Sequence, residues 1–401
     1  MIGKSRKYCA PRSVAYPLRA LDLVVDTYVG LAGKRQLGPI TSPPTVLVLT
    51  SGHLGDALIL SYTFPLIHQR YPGAQIDVVA GSWCDPIWAD NPYVRQVVHV
   101  DHPSTNRRAS TISQKWRVFG QTARAAIAQI RNEVYDYSVD IRFSSAPMHF
   151  LLPFLQVKQA NGFGTYGWGG LLDNEFFLPD GEFHNFALIS QLFGKLGVET
   201  DVRTVVPYFS TGQLTEEQVW NKLGVSVPDG QLVLLFPETG SPERELPSAF
   251  WHQLIAQLVG LCPNATYVFI GQTPLTSQLY DAVQQQHATE SSHFVSAVGK
   301  LSIRDLAVLA RQASFAVTLD SLPAHLCVIF CPTVSFFNSG MGLQFFPIGN
   351  KPTLVFHNNR GSQDLTLDRP GFVSTYVEQF DEVVIEKALR AVLAASVKTI
   401  S

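Results

Sequence analysis

Short apolar runs alternate with longer stretches of helical periodicity along most of this chain. Apolar runs bounded by Gly, Pro, Asn or Asp predict buried strands, and apolar residues spaced three and four positions apart predict amphipathic helices. This alternation is typical of parallel sheets with helices on both faces. Strands are predicted at 45–51, 76–80, 94–100, 137–141, 232–236, 267–270, 315–319 and 333–337, and helices at 17–31, 56–70, 110–133, 247–261, 275–285, 302–312 and 377–395.

The alternation forms two series, and 198–213 between them contains Pro, Ser, Thr and Gly. A chain of 401 residues fits two domains of roughly 100–200 residues each. The fold class predicted is α/β, with two Rossmann-like domains whose parallel sheets face each other across a cleft that binds the ligand. The expected divisions are an N-terminal extension at 1–44, a first domain at 45–205, a second domain at 212–375 and a C-terminal helix at 376–401.

The N-terminal extension is basic. It carries seven Lys or Arg residues against two Asp, so it contributes +5 to a chain whose net charge is -2. Its helix at 17–31 places Leu18, Leu21, Val25, Tyr28 and Val29 on one stripe. Two interpretations stay open: the helix packs on the protein body, or it rests on an anionic membrane surface.

Composition sets broad limits on the class of protein. The hydrophobic share of 46% supplies two cores, and the net charge indicates no overall attraction to nucleic acid. Five scattered cysteines and no visible signal peptide favour a cytoplasmic location. Cys327 and Cys331 are interpreted as buried core residues rather than metal ligands.

The segment 46–56, VLVLTSGHLGD, predicts a buried strand, a turn that contains Gly, and a helix start. Asp56 then follows the carboxyl end of a strand, where open α/β sheets bind ligands. A carboxylate at this place is either a helix cap or a base, and the segment alone favours the cap.

Two loops of the second half also follow predicted strands. In FPETGSPERELP at 236–247, the hydroxyls of Thr239 and Ser241 and the guanidinium of Arg244 are suited to a diphosphate. In VTLDSLPAH at 317–325, a hydroxyl-bearing helix start is suited to an anion and a strand-end carboxylate to sugar hydroxyls. Composition alone favours ordinary capped loops as the explanation of both patterns.

The segment NGFGTYGWGG at 161–170 is rich in Gly and aromatic residues and is predicted to be a loop. It is interpreted either as a surface connection or as an acceptor loop that offers aromatic rings to a sugar. The chain has no GxGxxG after its first predicted strand, and it lacks the Walker, GxSxG and HExxH motifs, which argues against several other enzyme classes.

Four motifs in order, LGD at 54–56, YPGA at 71–74, NPYV at 91–94 and LDSLPAHL at 319–326, resemble glycosyltransferase family 9. This family comprises the heptosyltransferases of the lipopolysaccharide inner core. The likeness spans about residues 44 to 357, and 105 to 230 match weakly. It implies a GT-B fold and inverting transfer from a nucleotide sugar, typically ADP-heptose, to a lipid-linked or cell-surface glycan, with no metal.

The resemblance also implies roles for individual residues. Asp56 matches the proposed general base. The donor-side set is Thr239, Gly240, Ser241, Arg244, Asp320, Ser321, Leu322 and His325, and the acceptor-side set is Ser51, Gly52, His53 and Gly55.

The chain departs from the family pattern at several donor positions. Arg244 replaces a common Lys, Leu322 replaces a Gly, and FFNSG at 336–340 replaces a Gly-rich segment. Gln272 stands near the place of an acidic residue that contacts ribose. The alternatives are a non-catalytic glycan- or nucleotide-sugar-binding descendant and a sugar-nucleotide epimerase or hydrolase.

Overall fold

The computed structural model describes residues 6, 8, 11–33, 37–108, 111–287, 293–338, 342–360 and 366–400. The chain divides into two compact units, Met1–Asp201 and Val202–Ser401. Each unit is an α/β domain, and each is described by itself.

Within the described residues, the first unit forms a six-stranded parallel sheet in the order β3-β2-β1-β4-β5-β6. This is the doubly wound order in which the connections reverse direction between the first and fourth strands. Its elements are α1 (Arg12–Ala32), β1 (Thr45–Leu49), α2 (Leu54–Ser61), α3 (Phe64–Arg70), β2 (Gln75–Ala80), α4 (Asp85–Trp88), β3 (Gln96–His99), α5 (Ile112–Ile130), β4 (Val134–Asp140), β5 (Gln156–Phe163), β6 (Asn174–Phe176) and α6 (Asn185–Gly194).

The second unit repeats this plan. Its described residues form a seven-stranded parallel sheet in the order β13-β12-β11-β10-β7-β8-β9, so the reversal lies between β7 and β10. Its elements are α7 (Glu216–Leu223), β7 (Leu232–Leu235), α8 (Ser248–Leu261), β8 (Thr266–Phe269), α9 (Pro274–Gln286), β9 (His293–Ser296), α10 (Ile303–Gln312), β10 (Phe315–Leu319), α11 (Leu322–Phe330), β11 (Thr333–Phe337), β12 (Thr353–His357), β13 (Phe372–Tyr376) and α12 (Glu382–Ile400).

The central strands are buried on both faces, which is why their sequences are continuously apolar. Val46 to Leu49 in β1 and Phe315 to Leu319 in β10 are all buried. Cys327 and Cys331 lie in the core of the second unit, as interpreted from the sequence.

Several predicted boundaries differ from the observed ones. The helix predicted at 56–70 breaks at Tyr62 and Thr63 into α2 and α3. The helix predicted at 377–395 begins only at Glu382. It follows an edge strand, β13 at 372–376, that was not predicted. The short strand β6 has half-buried residues throughout, so it lacks the apolar run that marks a buried strand.

The N-terminal helix α1 packs on the first unit and is longer than predicted, since it runs through Pro17. Val25 and Asp22 are buried, while Leu23 and Leu31 on the opposite face are exposed. The packing interpretation is therefore confirmed for one face. Lys4, Lys7, Lys34 and Arg35 of the basic extension lie outside the described residues.

The Gly-rich segment 161–170 was predicted to be a loop, but it is partly a strand and is not a surface connection. Its first three residues end β5, and most of the remainder is buried. Gly167 and Gly170 lie against Leu18 and Asp26 of α1, where a Cβ atom on Gly167 would come within 3.0 Å of Leu18 and one on Gly170 would overlap Asp26. The glycines therefore permit α1 to sit close to the sheet.

No helix in the described part of the chain is long and apolar enough to cross a membrane.

Candidate functional site

Asp56 lies at the reversal point of the first sheet, on the helix that follows β1. Its carboxylate Oδ2 accepts the backbone N–H of His53 at 3.0 Å, which closes the first turn of α2. None of the described residues donates a hydrogen bond to the other oxygen, Oδ1. The cap and base interpretations of Asp56 are therefore compatible, because one oxygen caps the helix and the other is available.

Gly52 explains the close turn that precedes Asp56. A Cβ atom on this residue would lie 2.6 Å from the Asp56 Cβ and 2.8 Å from its Oδ2. The carbonyl of Gly52 accepts the indole N–H of Trp83 at 2.9 Å, and the Ser51 hydroxyl donates to the carbonyl of Ala146 at 2.6 Å. The turn 51–53 is thus fixed on both sides, and only glycine leaves room for the carboxylate.

Arg142 pairs with Asp56 across the reversal point and was missed at the sequence level. It follows β4, and its Nη1 lies 3.3 Å from the Asp56 Oδ2. The carboxylate keeps 23% of its side-chain surface exposed and the guanidinium 13%. No sequence motif marks Arg142, because only the pairing of β1 with β4 brings it to Asp56.

A small pocket opens beside this pair. It contains the buried Asn185 at the start of α6, whose Oδ1 has no hydrogen-bond partner among the described residues. The pocket is lined by Asp56, Ile59, Ile141, Arg142, Phe143, Asn185 and Ile189.

His102 adds a neutral group to the same edge of the sheet. Burial, reinforced by the positive charge of Arg142, lowers the pKa of His102 to about 4. Its Nδ1 accepts the N–H of Ser104 at 3.2 Å. The imidazole is therefore uncharged at neutral pH.

A buried pair supports the segment that carries Arg142. The carboxylate of Asp140, the last residue of β4, accepts the N–H of Arg142 and lies 2.7 Å from the Nδ1 of His149. The Nε2 of His149 lies 3.0 Å from the carbonyl of Gly167, beneath α1. These bonds connect the end of β4 to the loop on which α1 packs.

Arg244 and Asp320 pair at the reversal point of the second sheet. Arg244 follows β7, and its Nη1 donates to the carbonyl of Asp320 at 2.8 Å and lies 3.4 Å from the Asp320 carboxylate. Asp320 follows β10 and exposes only 3% of its side chain, whereas Arg244 exposes 28%. The guanidinium is therefore the accessible member of this pair.

The loop that carries Arg244 is held by its own hydroxyls. The Thr239 hydroxyl donates to the carbonyl of Ser241 and accepts the Ser241 N–H at 3.0 Å. The Ser241 hydroxyl donates to Glu243. Thr239 and Ser241 are half-buried and Gly240 is exposed. The sequence-predicted donor loop is thus an ordered turn at the carboxyl edge of the sheet.

Helix α11 begins beside Asp320. Ser321 is its N-cap residue, and its hydroxyl makes no capping hydrogen bond. Leu322 is the first helical residue and its φ is not positive, so the absence of Gly causes no backbone strain. His325 is buried, one turn into the helix. The structure thus places Asp320, Ser321 and Leu322 at the edge, with His325 behind them.

Glu238 was also missed from the sequence. Its carboxylate accepts the N–H groups of Gln272 and Thr273 at 2.8 and 3.0 Å and a hydrogen bond from Thr276. Burial acts to raise the pKa of Glu238, but these hydrogen bonds outweigh it and hold that pKa below its usual value. The carboxylate therefore anchors the loop after β7 to the start of α9. The resemblance implied an acidic residue after Gly271, where this chain has Gln272. Glu238 lies beside Gln272 but comes from the loop after β7.

The described residues contain no group of three or more His, Cys, Asp or Glu that could hold a metal ion.

Comparison with solved structures decides the fold. The chain is similar to the glycosyl transferase family 9 structure from Veillonella parvula, with 16% identity, a TM-score of 0.64, and coverage of 89% of this chain and 99% of that one. The fold is that of the family 9 glycosyltransferases. Two E. coli structures agree: heptosyltransferase WaaC with ADP (15% identity, TM-score 0.58, coverage 88% and 99%) and ADP-heptose lps heptosyltransferase II (17%, 0.58, 87% and 98%).

The GT-B fold expected from the motifs is confirmed, with two parallel-sheet domains. No protein-family model matches the chain, and comparison with curated protein sequences gives no match. At this level of identity the family 9 structures establish only the fold. The function has to be argued from the residues of the site.

Proposed function

We propose that this protein is an inverting glycosyltransferase that moves a sugar from a nucleotide sugar, with ADP-heptose as the leading donor, to a lipid-linked or cell-surface glycan. The observation that carries the proposal is the opposite exposure of two Arg–Asp pairs. The first unit presents the carboxylate of Asp56, and the second presents the guanidinium of Arg244. A base and a diphosphate-binding cation are what single displacement from a nucleotide sugar requires.

In the proposed reaction, Asp56 Oδ1 accepts the proton of an acceptor hydroxyl as that oxygen attacks the anomeric carbon. The new glycosidic bond forms while the bond from the anomeric carbon to the diphosphate oxygen breaks. The electron pair leaves with the nucleoside diphosphate, and the configuration inverts because the displacement is single. Ser51, Gly52, His53 and Gly55 shape the turn on the acceptor side of Asp56.

Arg244 is proposed to neutralise the departing diphosphate, together with Thr239, Gly240, Ser241 and the start of α11 at Ser321. A helix N-terminus and an arginine each stabilise anionic oxygens. Because these groups supply positive charge, we expect turnover without an added metal ion. Asp320, Leu322 and His325 complete the donor side, with Asp320 orienting Arg244.

The donor identity is supported by the names of the similar structures. WaaC was solved with ADP and with ADP-2-deoxy-2-fluoro heptose. We extend an ADP-sugar to this chain as the proposed donor, in a cytoplasmic protein that contacts the membrane through residues 17–31. The exposed Leu23, Val24 and Leu31 of α1 support this contact.

The test is to incubate the protein with ADP-heptose, with and without a delipidated cell-envelope acceptor, and to measure ADP release. Release that depends on acceptor supports transfer. Equal release without acceptor indicates a hydrolase, and a changed sugar without release indicates an epimerase. If ADP-heptose binds without any of these reactions, the protein is a binding descendant and the proposal of transfer fails.

A further inference from the structure

The surface of α5 offers a feature that the proposed reaction does not use. Between His102 and Asn132 the chain carries six Lys or Arg residues and no Asp or Glu. The cations are Arg107, Arg108, Lys115, Arg117, Arg124 and Arg131. All except the half-buried Lys115 are exposed.

Helix α5 is buried along its later turns and exposed at its start. Its apolar stripe comprises Ile112, Trp116, Phe119, Ala123, Ala126 and Ile130. Ala123, Ala126 and Ile130 are buried in the core of the first unit. The two leading members of the stripe are exposed, Ile112 by 77% and Trp116 by 58%.

The exposed end is the start of the helix, which follows β3 and so lies at the carboxyl edge of the sheet, the edge that carries Asp56. The Trp116 ring is supported by an edge contact with Phe119, with ring centroids 5.6 Å apart. Phe119 contacts Phe150, which contacts Trp168 near α1. Contacts among these aromatic rings therefore hold the exposed Trp116 side chain in place.

We propose that the first two turns of α5, Ile112 to Arg117, with Arg107 and Arg108, bind the surface of a bilayer that contains anionic phospholipid. Exposed Trp and Ile suit the boundary between headgroups and acyl chains, and the adjacent cations suit the headgroups. A second copy of this surface would be repelled by like charge. A soluble anion would bind the cations but leave Ile112 and Trp116 exposed to water.

This inference deepens the proposed function, because it places Asp56 at the edge of the unit that meets a lipid-borne acceptor. It is separate from the contact proposed for α1, whose exposed apolar residues Leu23, Val24, Tyr28 and Leu31 belong to a different helix. The two contacts are therefore tested by different variants.

The experiment is flotation of the full chain with vesicles of phosphatidylcholine alone or mixed with phosphatidylglycerol, without donor or acceptor. We expect binding to the anionic vesicles and a marked loss in high salt. Since each cation near an anionic surface strengthens binding by about fivefold, the double variant Lys115→Gln with Arg117→Gln should weaken binding by about 25-fold. Trp116→Ser should also weaken it.

Matched variants test the location. Arg131→Gln lies just beyond the other end of the same helix, and should bind as the unchanged protein does. Leu23→Ser reports on α1 and should leave unchanged the fold-loss that the double variant causes. Thermal unfolding checks that each variant is folded.

The inference is overturned if anionic vesicles do not bind, if Arg131→Gln weakens binding as much as the double variant, or if a DNA oligonucleotide binds while vesicles do not. Failure of the proposed transferase activity leaves the vesicle result standing. The double variant should retain turnover with a delipidated soluble acceptor and lose turnover with vesicle-borne acceptor. Loss of both would assign Lys115 and Arg117 to the acceptor site instead.

Discussion

The carboxyl edges of the two sheets carry the same pair of residue types with the roles exchanged. In the first unit Asp56 follows the first strand and Arg142 the fourth, 3.3 Å apart. In the second unit Arg244 follows the first strand and Asp320 the fourth, 3.4 Å apart. Equal topology therefore places an ion pair at each reversal point, and the order of the partners along the chain is opposite.

Exposure separates the chemistry of the two pairs. The more exposed partner is the carboxylate in the first unit and the guanidinium in the second. A carboxylate with a free oxygen can accept a proton, and an accessible guanidinium can hold an anion. One fold plan thus exposes a carboxylate on one unit and a guanidinium on the other.

The largest effect is expected at Asp56. Asp56→Asn keeps the size of the side chain but removes the basic oxygen, so acceptor-dependent turnover should fall by about 10²- to 10⁴-fold. Steady-state rates with ADP-heptose and acceptor measure this. Asp85→Asn, an exposed carboxylate of the same unit, is the control and should retain activity. Turnover near the unchanged rate in Asp56→Asn would remove the base assignment.

A smaller effect, confined to binding of the nucleotide-sugar donor, is expected at Arg244. Arg244→Gln should raise the donor KM by roughly 10- to 100-fold, since a charge-assisted contact to the diphosphate is lost. Arg244→Lys should recover part of the loss because the charge remains and the fork geometry does not. Arg390→Gln on the exposed face of α12 is the control. A change in acceptor KM alone would contradict the donor assignment.

Gly52 tests whether the position of the Asp56 carboxylate matters. In Gly52→Ala the new methyl group meets Asp56, so we expect at least a tenfold loss of turnover and a loss of about 1–3 kcal/mol in the free energy of unfolding. Gly120→Ala is a sharp control, because that helical glycine has open space. It should gain about 0.5–1 kcal/mol of stability with unchanged turnover.

Glu238 gives the smallest predicted effect, on stability and pH. Because its pKa is lowered on folding, it stabilises the protein above the usual carboxyl pKa, and this contribution is lost as pH falls through the lowered value. Glu238→Gln should cost about 1–3 kcal/mol at neutral pH and little in acid. Urea unfolding at several pH values measures it, with the exposed Glu216→Gln as control. A pH-independent difference would contradict the account.

The sequence predicted the fold well where burial dictates the pattern. Strands β10 and β11 match the predicted 315–319 and 333–337, because both are apolar runs in the middle of a sheet. It missed the edge strands β6 and β13, which are only partly buried, and also the interior strands β5 and β12. It also failed for Arg142 and Glu238, because their partners come from distant strands and nothing local marks them.

The N-terminal segment shows a different kind of limit. The stripe Leu18, Leu21 and Val25 was visible as an apolar face, but its partner was not. The partner is the Gly-rich segment 161–170, which the sequence suggested as a surface or acceptor loop. Arg6 adds an ion pair with Asp26 at 2.7 Å and a second with Glu175, which ties the extension to the sheet.

The central claim is that the first unit supplies the base and the second unit holds the donor diphosphate. Calorimetric titration of ADP into the full-length protein, Asp56→Asn and Arg244→Gln tests it most directly. We predict that Asp56→Asn binds ADP within about twofold of the unchanged protein, whereas Arg244→Gln binds at least about tenfold more weakly. Equal weakening in both variants, or none in Arg244→Gln, would contradict the division of roles.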